Sequence, residues 1–256
     1  IIREFKIQIT WRSFVALVLA VVSTYLCIKF QIVADMPTGL FGMAVVFPIV
    51  FMINSAYTRR EEAFQYYGSL KAALASIYFA QHNHRITGPA GKTKKQLSKK
   101  HSDEMKELRQ QIKQFLELIK EDLSNPSSAH ERRQDIYSLH MQIAAKNEQV
   151  QMPALDFWSN DILSAYHKLS FISNYRTPRA MKGYSKVFIN IFPLCFGPYF
   201  AFVDTQVAFL GYAVAALYAV ILFMLSAIQD QLENPFDGVG LDDIDLDKEN
   251  KFTEAL

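Results

Sequence analysis

Apolar and charged positions fall in separate blocks along the chain. No charge occurs between Arg12 and Lys29, none between Asp35 and Arg59, and only Asp204 between Lys186 and Asp230. A helix crosses the bilayer core with ~20 residues, so this pattern predicts four spans. The first runs from Phe14 to about Val33, with Lys29 near its end able to snorkel. The second is Met36 to Tyr57, and the third apolar run splits at Asp204 into Val187–Val203 and Thr205–Ile228. The charged middle reads as helices. Arg59 to about Gln81 continues the second span without a Gly-Pro break, and residues 82–98 form a basic loop containing Gly and Pro. Met105, Leu108, Ile112, Phe115 and Ile119 recur at spacings of 3, 4, 3 and 4, which predicts an amphipathic helix from His101 to Leu123. Asn125-Pro126-Ser127-Ser128 stops it, and further helices are predicted at about 130–147 and 154–174. No apolar/polar alternation is long enough to build a sheet. The fold class is an all-α membrane protein, four transmembrane helices with a cytoplasmic helical domain.

Composition sharpens this picture. Half of the 256 residues are hydrophobic and 20% are charged, for a net charge of +2. Bunching of the apolar half excludes a single soluble core and a disordered or collagen-like chain. Cys27 and Cys195 lie in apolar stretches, which excludes a disulfide scaffold. The chain starts at Ile1, implying an upstream residue and leaving a leader peptide unjudged. Lysine and arginine set the orientation. Residues 58–186 hold 21 Lys+Arg against 13 Asp+Glu, whereas the hairpin turns hold only Lys29, Asp35 and Asp204. Both termini and the central domain are therefore expected on the cytoplasmic side of a cell membrane. The organisation is a cytoplasmic segment 1–12, spans one and two within 13–57, a helical domain 58–186, spans three and four within 187–229, and an acidic tail 230–256. That tail carries nine acids and two lysines. Beside a domain of net charge +8 it is expected to wrap that domain; the alternative is a solvated tail.

Catalytic motifs are missing. His82, His84, His101, His130, His140 and His167 make neither HExxH nor a cysteine-paired zinc spacing, and GxSxG, the P-loop and GxGxxG are absent. Gly238-x-Gly240 sits among acids that would repel a phosphate. An enzyme is not expected, nor a nucleic-acid partner.

The second span carries the informative pattern. Met43, Phe47 and Phe51 recur every four residues, a stripe that drifts only ~40° per step on an α-helix. Gly39, Gly42, Ala44, Asn54, Ser55 and Ala56 provide small and polar positions suited to close helix packing. Pro48 removes the hydrogen bond to the carbonyl of Ala44 and predicts a kink. Taken alone, these features fit a pore-lining helix or a packed bundle helix.

Gly42-Met-Ala-Val-Val-Phe-Pro-Ile-Val-Phe51, followed by Asn54-Ser-Ala-Tyr57-x-Arg59-x-x-Glu62-Ala63 and Gly68, resembles the second membrane helix of bacterial bestrophin-like channels. Other landmarks follow in the family's order. They are Arg176-Thr-Pro178 with Tyr184 and Phe192-Pro193, Asn147-Glu-Gln-Val150, and Leu232-Glu-Asn234-Pro-Phe236 with Asp242-Asp243-x-Asp245. The resemblance covers the chain from the first span to about Asp247 and implies a homopentameric ion channel, usually passing monovalent anions such as chloride. Its partners would be further copies of the chain, membrane lipid and permeant anions. It implies a pore neck of Met43, Phe47 and Phe51, a cytoplasmic aperture at Val150, and a calcium clasp at Asn234, Asp237, Asp242, Asp243 and Asp245. Three departures stand out. Asp237-Gly-Val-Gly240 is inserted before the acids, Tyr67 replaces the usual Trp, and Met43 replaces Ile in a neck that contains Pro48.

Apolar rings can close a pore by excluding water, and the partly positive edges of aromatic rings favour anions over cations. Arg59, Arg60, Glu61 and Glu62 nearly cancel at the inner end. A cation-conducting homologue and a non-conducting scaffold binding partners through its cytoplasmic helices are the alternatives. Asp243, Asp245, Asp247, Glu249 and Glu254 fit positions 1, 3, 5, 7 and 12 of an EF-hand loop, but Lys248 stands where Gly is required.

Overall fold

The computed structural model describes residues 11–86, 94–125, 129–148, 153–175, 179–238, 240 and 242–256. Among them all regular structure is helical, as expected. The helices are α1 (Trp11–Lys29), α2 (Thr38–Ile86), α3 (Lys94–Ser124), α4 (Ala129–Glu148), α5 (Pro153–Asn174), α6 (Arg179–Cys195), α7 (Gly197–Gln206), α8 (Leu210–Leu232) and α9 (Leu246–Asn250), with a 3-10 turn at Lys251–Glu254. Two compact units emerge: residues 1–58 with 177–233, and residues 59–176 with 234–256.

In the first unit α1 packs on α6, α7 and α8. Small residues allow the close approach: Ala16 and Ala20 on α1, Ala215 and Ala219 on α8 are buried, each pair one turn apart. Aromatic rings fill the rest. Phe192 stacks on Phe196 with centroids 4.0 Å apart, and Tyr218 lies 5.9 Å from Phe192. Val45, Ile49 and Met52 bring α2 into the same cluster. The third apolar run breaks at Phe196 rather than at Asp204, and the turn into α8 spans Val207–Phe209, with Phe209 in the left-handed region at φ 66°. Pro198 explains the break, since proline suits the start of a helix better than its interior. α1 stops at Lys29, short of Val33, where Gln31 turns the chain at φ 55°.

The second unit is built on the amphipathic helix. Met105, Leu108, Ile112, Phe115 and Ile119 are all buried, in a core shared with Leu70, Leu74 and Ile77 of α2 and with α4 and α5. α3 begins earlier than expected, at Lys94, and α2 continues to Ile86. Residues 82–86 and 94–98 of the expected loop are therefore helical; Lys94, Lys95, Gln96 and Leu97 are good helix formers. Buried His140 of α4 is bound to Ser159 of α5, with Nε2 3.1 Å from its carbonyl oxygen and 3.0 Å from Oγ. The Tyr166 hydroxyl donates to buried Asp122 at 2.9 Å.

The acidic tail docks on this unit. Glu249 pairs with Lys71, Asp247 with Lys120, and the Tyr67 hydroxyl donates to Asn250 Oδ1. Phe236, Ile244 and Leu246 enter the core beneath these pairs.

Candidate pore neck and carboxylate loop

The stripe of Met43, Phe47 and Phe51, expected to form a neck, lies on the first part of α2. Val45, Ile49, Met52 and Ala56 on one side of this helix are buried. Met43, Phe47 and Phe51 are 58%, 56% and 59% exposed in the single chain. The Phe47 and Phe51 rings stack with centroids 5.9 Å apart. The segregation follows from helical periodicity, since steps of four residues keep three large side chains on one stripe. No charged side chain occurs on α2 before Arg59.

The helix continues unbroken through Pro48. The Ala44 carbonyl, which loses its helix donor at Pro48, accepts instead from the Tyr184 hydroxyl of α6 at 3.2 Å. Sequence reasoning placed Tyr184 only as a landmark of the third run. The orphaned carbonyl was a signal, but nothing in the sequence named its donor.

Gly39 and Gly42 face open space rather than a neighbouring helix in this chain. The close approaches fall elsewhere: a Cβ on Gly197 would meet Ser23 and Cys27, and one on Gly211 would meet the Phe200 carbonyl and Asp204.

In the second unit the arginines next along α2 have structural partners. Arg59 donates to the carbonyls of Ile172 at 2.9 Å and Tyr175 at 2.6 Å, capping the end of α5 where helix carbonyls lack donors. Arg60 donates to the Asp242 carbonyl at 2.7 Å and pairs with Glu61. Val150, the expected aperture residue, and Arg176–Pro178 lie outside the described residues.

The carboxylate loop follows the last long helix. The Ile244 N–H donates to the Pro235 carbonyl at 2.8 Å and closes it. Asn234 is buried, with Oδ1 accepting from the Phe236 N–H at 3.4 Å. Asp245 caps α9 by accepting from the Lys248 N–H at 3.0 Å. Asp242 is exposed and contributes its carbonyl to Arg60. Asp243 accepts from the Gly240 N–H at 3.1 Å and is hydrogen-bonded to Asp237. Burial first, and then Asp237, push the Asp243 carboxyl up to about 6. Asp237, Asp243 and Asp245 border a cleft of about 380 Å³ beside Lys120 and Ser124.

As arranged, the five expected clasp residues do not fit calcium, which takes six to eight converging oxygens. Asp237 and Asp243 come together, and among the described residues no three carboxylate, imidazole or thiol side chains gather around one point. Asp245 is used as a helix cap, while Asp247 and Glu249 are held by lysines. The EF-hand pattern fails for the same reason, because α9 occupies the place of its loop.

Comparison with solved structures shows that this chain has the fold of bacterial bestrophin homologues. A point mutant of a bacterial bestrophin homologue from Klebsiella pneumoniae matches with a TM-score of 0.73 at 14% identity, covering 95% of this chain and 98% of that one. A second mutant gives 0.73 at 15% identity over 95% and 94%. A further structure of the Klebsiella pneumoniae homologue gives 0.70 at 13% identity over 95% of each chain. No family model matches the sequence, and no curated protein is similar to it.

Proposed function

We propose that this protein is a bestrophin-like homopentameric channel that passes monovalent anions through a neck formed by Met43, Phe47 and Phe51. The observation that carries the reading is the exposed apolar stripe on α2, opposite a buried face, in a chain with the bestrophin fold. Around a five-fold axis the stripes make three apolar rings. Such rings hold water weakly and conduct only when wide enough to stay wet. Ring edges of Phe47 and Phe51 carry partial positive charge, so an anion that sheds water easily crosses at lower cost than a cation. Val150 would form a second constriction on the cytoplasmic side.

α1, the first part of α2, the α6–α7 pair and α8 serve as the membrane spans. Gly42–Asn83 and Leu210–Leu232 are each long and apolar enough to cross, and Ala180–Phe192 with Gly197–Gln206 meets the same length and apolarity as a bent pair, which this reading takes as one span. Termini and the α3–α5 domain lie in the cytoplasm, following the lysine and arginine excess there. No catalytic step is involved, and no step runs through calcium.

The test is the reversal potential of purified protein in planar bilayers under a tenfold KCl gradient, with Phe47→Ala/Phe51→Ala beside it. A shift toward the chloride equilibrium potential, with larger current in the double mutant, is expected. A shift toward potassium would overturn the ion assignment. Silence from a correctly inserted pentamer would favour a scaffold.

A further inference from the structure

We propose that the Tyr184 hydroxyl supplies the hydrogen bond that Pro48 removes from α2, and so positions the helical turn that carries Met43 and Phe47. This rests on the neck assigned above. Proline has no N–H, so the carbonyl four residues earlier loses its helix donor. In a water-poor membrane an unmet carbonyl is costly unless another donor reaches it. Here that carbonyl belongs to Ala44, and Tyr184 of α6 donates to it at 3.2 Å.

The phenol is held for the task. Its ring packs on Phe188, one turn further along α6, with centroids 4.3 Å apart. Two residues before it, Lys182 pairs with Asp230 at 3.4 Å and with Glu233, at the end of α8. α6 is thus anchored at α8 and bonded to the neck helix within two residues. Ala44 follows Met43 and Pro48 follows Phe47, so the orphaned carbonyl and the missing donor each adjoin one of the two outer neck positions. Val45 and Ile49 fix the same turn by burial in the core. The hydroxyl sets what burial leaves free, the local rise and rotation of a turn that lacks one of its own hydrogen bonds.

A double-mutant cycle tests this. Pro48→Ala restores an N–H for the Ala44 carbonyl, and Tyr184→Phe removes only the hydroxyl. The readouts are Tm and the thiol-labelling rate of Phe47→Cys, in a Cys195→Ser background. With Pro48 present, Tyr184→Phe should lower Tm by about 2–4 °C and change the labelling rate severalfold. With Pro48→Ala it should do neither. Equal effects in the two backgrounds, or no effect of Tyr184→Phe with Pro48 present, would overturn the proposal. Should Pro48→Ala fail to fold, Tyr184→Phe alone still decides through the second of these outcomes. Neither readout needs ion current, so a silent bilayer would count against the channel and leave this result standing.

Discussion

At Gly211 there is no room for a side chain, because a Cβ would overlap the carbonyl oxygen of Phe200 and the backbone of Asp204. Backbone cannot swing aside as a side chain can. Gly211→Val should therefore cost about 1–3 kcal/mol or more, read as a fall in Tm of detergent-solubilised protein. Gly68→Ala in α2 meets open space. It should be neutral or gain up to about 1 kcal/mol from helix propensity; a matching loss at both sites would refute the packing argument. Asp243 supplies a pH effect. Its carboxyl titrates near 6 in the folded loop against 3.8 when free, so folding favours the protonated form. That contribution is complete below 3.8 and is lost as pH rises through about 6. Hydrogen exchange at the Ile244 amide, corrected for intrinsic rate, should show more protection at pH 5 than at pH 7. Asp243→Asn should abolish the difference.

Among the elements, the acidic tail is held by two kinds of contact of unequal strength. The Lys71–Glu249 and Lys120–Asp247 pairs are partly exposed, and pairs of that kind contribute about 0–1 kcal/mol each. Leu246 is buried in the core, and truncating such a side chain costs about 2–5 kcal/mol. Leu246→Ala should thus speed proteolytic cleavage of the tail far more than Lys120→Ala, and EGTA should change neither rate. A tail released by EGTA would restore calcium as its clamp. At this scale much was legible in the sequence. The 3, 4, 3, 4 spacing of α3 marked five residues that are all buried, and the charge contrast anticipated tail docking. Which lysines meet which acids was not legible, because net charge carries no address. The second span looked like one helix with the segment after it, as it is. The role of Arg59 as a cap for α5, 113 residues away from Ile172 in sequence, had no local trace.

For the whole molecule, the first unit presents apolar surface that water does not tolerate. Val18, Val22 and Leu26 of α1, Leu217 and Ile221 of α8, and the neck stripe are all exposed in the single chain. Apolar surface on this scale is covered by lipid or by other copies. Native mass spectrometry from detergent should give a five-chain species, which Phe47→Ala/Phe51→Ala should preserve. A monomer as the dominant form would remove the rings on which the neck depends.

Apolar runs, helical periodicity and charge bias determined that this chain is helical, where its apolar helices lie and which residues share a stripe. Each of those properties is local, written in spacings shorter than one helix. Tertiary structure alone decided that Tyr184 serves the carbonyl orphaned by Pro48 and that the glycines at 197 and 211, rather than those at 39 and 42, make the tight approaches. It also decided that the tail's acids are divided among lysines, a helix cap and a shared carboxyl pair. These partners lie far apart in sequence or depend on how a loop closes, and only packing brings a donor within reach of its acceptor.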